Sequence, residues 1–221
     1  MMRRAAIVLL LLSGCSVDVQ DGAGPRRPSP DVEGTVTRAS SPAADVDVEL
    51  HNVATDAKVF DTQSDPQGVF RFYAVPGGLW EVRAESNRSG DFASVRRQFY
   101  RADGDGKRRI ALDIFGHGAR PMAPVANATV TVPSPFAALD FHWSSPPDSG
   151  VLARVQLYDA LGEDVWRSSW AVTDSARFYG YGTEGSYQGV PVGPGQYQWL
   201  VRFQFPDSTD ARSHRIPVIF E

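Results

Sequence analysis

The chain has little cysteine and no long hydrophobic run, and each shortage excludes a class of structure. Cys15 is the only cysteine among 221 residues, so no intrachain disulfide can form and the fold must be held by packed cores. The apolar run at residues 5–12 is too short to span a bilayer, which requires about 20 apolar residues. The sequence therefore indicates neither a disulfide-stabilised scaffold nor a membrane-spanning helix.

The sequence also lacks an excess of positive charge. It has 22 Lys and Arg residues against 26 Asp and Glu residues, giving a formal net charge of −4. Without a dense basic stripe there is no electrostatic basis for nucleic-acid binding, which depends on neutralising phosphates. We therefore expect no nucleic-acid partner.

Motifs for catalysis, metals and nucleotides are scarce. The four histidines (His51, His117, His142 and His214) have neither the close spacing nor the H-E-x-x-H frame of a zinc site. The G-x-G-x-x-G pattern at residues 180–185 is followed by glycines and prolines rather than by the helix that a dinucleotide site needs. No G-x-S-x-G nucleophile elbow occurs. We predict no enzyme activity, no metal and no cofactor.

The N-terminus is patterned for export. Arg3 and Arg4 precede the apolar run, as in a secretory signal peptide, and Leu12 is followed by two small residues and Cys15. These residues resemble the lipobox of bacterial lipoproteins. The resemblance implies a signal peptide over residues 1–14, cleavage before Cys15 and a diacylglyceryl group on its sulfur. Ser16, rather than Asp, after the cysteine favours sorting to the outer membrane.

Residues 15–31 are rich in Pro, Gly and charge and show no sustained apolar period. We predict a lipidated tether. At about 3.1 Å per residue in the extended proline-rich conformation, it would reach roughly 50 Å from the membrane.

Residues 32–118 have an apolar period of two, which indicates β-strands. Seven strands are predicted at residues 32–38, 45–52, 58–63, 69–74, 79–85, 92–100 and 108–115. The segments VEGTVT (32–37), ADVDVEL (44–50), SDPQGVFRF (64–72) and VPGGLWEV (75–82) resemble the carboxypeptidase regulatory-like domain. That resemblance implies a transthyretin-like β-sandwich with no catalytic residues of its own.

Residues 119–126 contain Pro121 and Pro124 and are predicted to be a linker. Residues 127–221 resume the strand pattern, and seven strands are predicted in this half at residues 126–132, 138–143, 152–159, 165–172, 176–181, 196–205 and 213–220. Alternate residues from Tyr197 to Phe205 are apolar, so one face of that strand should be buried. Trp143 and the turn-strand segment VPVGPGQYQW (190–199) resemble a fibronectin type III or related immunoglobulin-like module. The predicted fold class is therefore all-β, with two consecutive β-sandwiches.

Exposed aromatic residues are the candidate ligand contacts. Trp166 and Trp170 on one predicted strand would share a face about 13 Å apart and form a sugar-stacking platform, with a place in the core or at a sheet edge as the alternative. Tyr179, Tyr181 and Tyr187 lie in a Tyr-, Gly- and Ser-rich segment whose composition suits adaptable contacts. A hairpin with partly buried tyrosines is the alternative there.

These observations predict a non-catalytic envelope lipoprotein that binds, spaces or presents a partner. The membrane would be contacted through the lipid on Cys15, and an envelope protein or a polysaccharide would be the other partner. Two alternatives stay open: an accessory carbohydrate- or protein-binding subunit of an envelope enzyme, and a hydrolase assembled from separate strands.

Overall fold

A computed structural model of the chain describes residues 29–116, 119–133, 138–146, 150–180 and 192–221. Within these ranges the chain forms seventeen strands and no helix, which confirms the all-β prediction. No helix among these residues could cross a membrane.

The first half of the chain forms a β-sandwich. Its strands are β1 (Val32–Arg38), β2 (Ser41–Pro42), β3 (Asp47–Asn52), β4 (Ala57–Gln63), β5 (Val69–Phe72), β6 (Gly78–Glu85), β7 (Ser94–Arg101) and β8 (Arg108–Asp113). In one sheet β1 lies between β5 and a parallel β8, and in the other the order is β4-β3-β6-β7. Phe60 of β4 packs against Phe72 of β5 with ring centroids 6.3 Å apart, which joins the two sheets. Seven of these strands coincide, to within a few residues, with the predicted ones.

The second half forms another sandwich. Its strands are β9 (Arg120–Ala123), β10 (Ala128–Val130), β11 (Leu139–Ser144), β12 (Leu152–Asp159), β13 (Asp164–Arg167), β14 (Ser175–Phe178), β15 (Gly195–Gln204), β16 (Thr209–Arg212) and β17 (Ile216–Phe220). One sheet has the order β14-β11-β9. In the other, β15 pairs with β12 along one edge and with β16 and β17 along the other.

The cores follow from the alternation in the sequence. Trp199, Val201 and Phe203 of β15 are fully buried, as the predicted apolar face requires. Trp199 lies 5.0 Å from the ring of Phe141 on the opposing sheet. In the first sandwich Trp80 is buried, and its indole Nε1 donates a 3.0 Å hydrogen bond to the carbonyl oxygen of Pro76.

The predicted linker over residues 119–126 contains strand β9, which pairs with β11 through His142 and Ala123. Pro121 within β9 suggested an unstructured segment. However, β9 is the edge strand of its sheet, where a proline does not interrupt the hydrogen bonds of a central strand. This part of the predicted linker therefore belongs to the second sandwich.

The two sandwiches share a sheet. Strand β16 of the second sandwich pairs antiparallel with β7 of the first, from Thr209 opposite Arg97 to Arg212 opposite Ser94. One ten-stranded sheet therefore runs through both sandwiches. Below this junction, Phe92 packs against Phe203 and Phe205 with ring centroids 5.6 and 6.2 Å apart. We call the β7–β16 pairing and these aromatic contacts the seam.

Candidate functional site on the polar face of the joined sheet

The ten-stranded sheet packs one side against the core, and its other side is mostly polar. Cross-strand register places a set of polar side chains on the side away from the core, and we call this set the polar face. It consists of Glu49, His51, Glu81, Arg83, Arg96, Gln98, Arg154, Gln156, Tyr158, Arg202, Asp210 and Arg212. Because the sheet is continuous across the seam, the polar face extends over both sandwiches.

On the first sandwich the polar face is organised around Glu81, a buried carboxylate. It accepts hydrogen bonds from Gln98 Nε2 at 3.0 Å and from Arg83 Nε, and Arg96 lies 3.7 Å away. Burial raises the pKa of Glu81, but the bonds from Gln98 and Arg83 and the charge of Arg96 outweigh it and hold the pKa below its ordinary value. Glu81 is thus a structural anion whose charge is satisfied within the sheet.

At the seam, Asp210 of β16 lies between two arginines. Its Oδ1 accepts a 3.1 Å bond from Arg96 Nε on β7, and its Oδ2 accepts a 2.6 Å bond from Arg202 on β15. One carboxylate therefore ties together three strands and both sandwiches.

Three arginines occupy one row across β12, β15 and β16. Arg154 lies opposite Arg202, and Arg202 lies opposite Arg212. Arg202 is paired with Asp210, and Arg212 is paired with Glu85 at 3.1 Å. Arg154 forms no ion pair with a carboxylate in the described ranges. Asp210 and Glu85 therefore pair with two of the three arginines of this row, which leaves one positive charge over. Like charges directly opposite each other in a sheet are destabilising.

Arg154 is held by an aromatic ring instead. Its guanidinium carbon lies 4.4 Å from the centroid of Trp170, and that of Arg202 lies 5.9 Å from the same ring. Burial lowers the pKa of Arg154, and the charges of Arg202 and Arg167 lower it further, against the opposing charges of Asp210 and Asp164. Its Nε, like that of Arg202, is buried without a hydrogen-bond partner. A planar guanidinium stacked on a ring keeps its N–H donors directed outwards in its plane.

Trp170 is positioned by the backbone next to it. Ala171 and Ala153 exchange hydrogen bonds of 2.8 and 3.1 Å, from Ala153 N–H to Ala171 oxygen and the reverse. This bridge fixes the chain after β13 alongside β12, next to Arg154.

A second arginine-aromatic pair lies on the same face. The guanidinium carbon of Arg215 lies 4.2 Å from the ring centroid of Tyr158, and Arg215 also donates a 3.3 Å bond to Gln198. The Tyr158 hydroxyl donates a 3.1 Å bond to Gln156 Oε1. Burial raises the pKa of Tyr158, so it stays a neutral phenol.

The aromatic platform predicted from Trp166 and Trp170 is not formed. Trp166 is 1% exposed and packs in the core against Phe141 and Phe178, with centroids 5.9 and 4.8 Å apart. The predicted strand ran from residue 165 to 172, but β13 ends at Arg167 and the regular alternation ends with it. The two tryptophans therefore face opposite environments, and Trp170 alone reaches the polar face.

The remaining predicted site residues lie elsewhere. Tyr179 follows β14, and Asp140 first and Tyr179 second raise the pKa of Arg177. Tyr181, Tyr187 and Cys15 lie outside the described residues. Among the residues placed by the structure, no cluster of three or more His, Cys, Asp or Glu side chains is arranged to hold a metal.

Sequence reasoning missed Arg154 because its significance depends on cross-strand register. The alternation Arg154-Gln156-Tyr158 was visible as the polar half of a strand. The sequence did not show that Arg202, Arg212 and Trp170 lie next to Arg154.

Comparison with known proteins identifies no family. No protein-family model and no curated protein match the chain. Among solved structures, the chain is similar to BcpA, the major pilin subunit of Bacillus cereus, at 11% identity and a TM-score of 0.33, covering 85% of this chain and 68% of that one. It is also similar to the fibronectin(III)-like modules of Clostridium thermocellum CbhA, at 14% identity and a TM-score of 0.32, covering 86% and 89%. At these scores we base no functional argument on either similarity.

Proposed function

We propose that this chain is a non-catalytic lipoprotein of the bacterial envelope, anchored through Cys15, whose joined sandwiches present a binding surface to a partner outside the membrane. The observation that carries the proposal is the seam. Because β7 and β16 pair in one sheet, the polar face is a single surface across both halves of the chain. Two flexibly linked modules would have no such common surface.

The charges of the polar face support a presenting role. The ion pairs of Glu81 and Asp210 fix the arginines around them, and a surface fixed before binding loses less entropy when a partner binds. The side chains of Asp210, Arg96 and Arg202 are each about one-fifth to one-quarter exposed, so they are accessible from solvent.

The anchor follows from the lipobox resemblance of residues 12–15. Two or more acyl chains hold a protein stably on a membrane, whereas one holds it reversibly. The predicted tether would then place the first sandwich clear of the headgroups.

Metabolic labelling with a radioactive fatty acid, followed by fractionation of inner and outer membranes, tests this function. The parent chain should carry label and sediment with the outer membrane. Cys15→Ser should lose both the label and the membrane association, while Ser16→Ala, the matched control, should keep both. Ser16→Asp should keep the label but move to the inner membrane. Label retained by Cys15→Ser would refute the anchor.

A further inference from the structure

We propose that Arg154, supported by Trp170 and Arg202, is a binding site for the carboxylate groups of an acidic polysaccharide. This inference deepens the proposed presenting role by naming the class of partner. It does not depend on lipidation of Cys15, so the two proposals can fail separately.

The first argument is the charge imbalance. In the row Arg154, Arg202 and Arg212, Asp210 pairs with Arg202 and Glu85 pairs with Arg212, and Arg154 has no carboxylate partner in the described ranges. Arg83, Arg96 and Arg202 on this face are each paired with a carboxylate. An external anion beside Arg154 would give this arginine a partner of the same kind. The chain as a whole has a net charge of −4, so this local excess of positive charge is not a consequence of composition.

The second argument is the geometry of Arg154. Stacking on Trp170 at 4.4 Å fixes the guanidinium in one plane, and a guanidinium in a fixed plane can receive a carboxylate through two parallel N–H···O bonds. The bridge between Ala153 and Ala171 holds the ring in place.

The third argument concerns the second pair. Arg215 on Tyr158 repeats the arginine-aromatic arrangement. Tyr158 is four residues from Arg154 on β12, a distance of about 13 Å at 3.3 Å per residue. Two cationic sites at a fixed separation suit a polymer that carries carboxylates at regular intervals.

The surface around these pairs favours a polysaccharide over a protein. Arg, Trp and Tyr are enriched in protein interfaces as well, but there they lie in an interface core that is mostly apolar. None of the large exposed hydrophobic residues in the described ranges lies on β12, β15 or β16. The exposed neighbouring side chains Gln198 and Gln204 of β15 are instead hydrogen-bonding groups of the kind that sugar hydroxyls require.

The test is a binding titration of the full-length chain in detergent with oligogalacturonate, a sugar oligomer carrying one carboxylate per unit. Its methyl ester has the same backbone without the charge and is the matched ligand control. The parent should bind the acid form and not the ester. Binding should weaken as salt rises, and galacturonic acid monomer should bind at least tenfold more weakly than an oligomer that reaches both arginines.

Two variants assign the site. Arg154→Met, which keeps the length of the side chain on Trp170, should weaken binding at least tenfold. Arg215→Met should remove most of the advantage of the oligomer over the monomer. Arg71→Met is the matched control, because Arg71 is already paired with Glu33 and Asp65 on the first sandwich, and it should bind as the parent does.

Thermal unfolding separates a binding role from a structural one. Since Arg154 adds an unneutralised charge to its row, Arg154→Met should unfold at the same temperature as the parent or at a higher one. A lower unfolding temperature, or unchanged binding in Arg154→Met, would overturn the proposal. The proposal would also be overturned if the parent bound the methyl ester as tightly as the acid form, bound poly-glutamate more tightly than oligogalacturonate, or bound no oligogalacturonate.

Discussion

Arg96 of β7 and Asp210 of β16 lie directly opposite each other, and the 3.1 Å bond from Arg96 Nε to Asp210 Oδ1 crosses the seam. Asp210 also accepts from Arg202, so the pair belongs to a network and is not an isolated surface contact. A network of this kind holds two sheet segments in register with less loss of side-chain freedom than separate pairs would need. The seam therefore has a polar component on the polar face of the sheet and an aromatic component on its core side.

A double-mutant cycle should detect the polar component of the seam. We expect Arg96→Met and Asp210→Asn to show a coupling free energy of about 0.5–1 kcal/mol, because the side chains are partly exposed and surface pairs rarely exceed that range. Urea unfolding of the parent, both single variants and the double variant measures it. The matched cycle of Arg71→Met and Glu33→Gln, a pair within the first sandwich, should give a smaller value. Strictly additive effects of Arg96→Met and Asp210→Asn would show that the pair does not stabilise the seam.

Phe92 should couple the two sandwiches through the aromatic component. Phe92→Ala removes a buried ring from between Phe203 and Phe205 and should cost about 3–5 kcal/mol of unfolding free energy. Hydrogen exchange should then accelerate in strands of both sandwiches. Phe70→Ala, the control, deletes a ring that packs against Phe72 within the first sandwich, and exchange should accelerate chiefly there. Identical exchange patterns for the two variants would contradict the coupling.

The strands could be predicted from the sequence because alternation is a local signal. The apolar set on β15 and the Val48-Glu49-Leu50 alternation on β3 each specify which side chains face the core. The seam could not be predicted in this way. It pairs residues 94–97 with residues 209–212, more than a hundred positions apart, and β16 is too short to have a distinctive pattern.

The site was only partly predictable for the same reason. Trp170 was identified as a candidate, but its expected partner, Trp166, belongs to the core, because β13 ends before Trp170 and the alternation ends with it. Arg154 acquires its role from residues on three other segments. Composition and spacing do not contain that information, since only the cross-strand register brings Arg202 and Trp170 to it.

Asp91 should make stability depend on acid pH. Burial raises the pKa of its carboxyl, but hydrogen bonds from Arg38 at 2.8–3.0 Å and from Ser86 at 2.7 Å outweigh burial and hold the pKa below its ordinary value. A lowered folded-state pKa gives stability that is fully present above the unfolded pKa, about 3.9 for Asp, and is lost as the pH falls through the folded pKa.

Asp91→Asn should therefore reduce the unfolding free energy by about 3 kcal/mol at pH 7, because it leaves Arg38 without its charge partner. The loss should shrink as the pH falls below about 4, because the unfolded parent then binds a proton at Asp91 that the folded parent, with its lowered pKa, does not yet bind. Urea unfolding between pH 3 and pH 7 measures the difference. Asp61→Asn, at an exposed position of β4, serves as the control. A difference between Asp91→Asn and the parent that stays constant over this range would contradict the assignment.

Gly34 should be indispensable to the first sandwich because of close packing and not because of backbone conformation. It lies in the middle of β1, directly opposite Phe70 on β5 and Ile110 on β8. A Cβ atom there would come within 2.2 Å of Phe70 Cζ and 2.3 Å of the Ile110 carbonyl oxygen. The phenylalanine ring can shift, but the carbonyl belongs to the parallel ladder and cannot move without breaking it.

Gly34→Ala should consequently destabilise the chain by about 1–3 kcal/mol or more, the range for overpacking a core, with a lower urea midpoint as the measurement. Gly106→Ala is the matched control, since a Cβ atom at Gly106 meets nothing within 4 Å, and it should change the unfolding free energy by less than about 0.5 kcal/mol. If the two variants were equally stable, β1 and β8 would have to be further apart than the ladder between them requires. In that case the parallel pairing that closes this sheet would itself be in question.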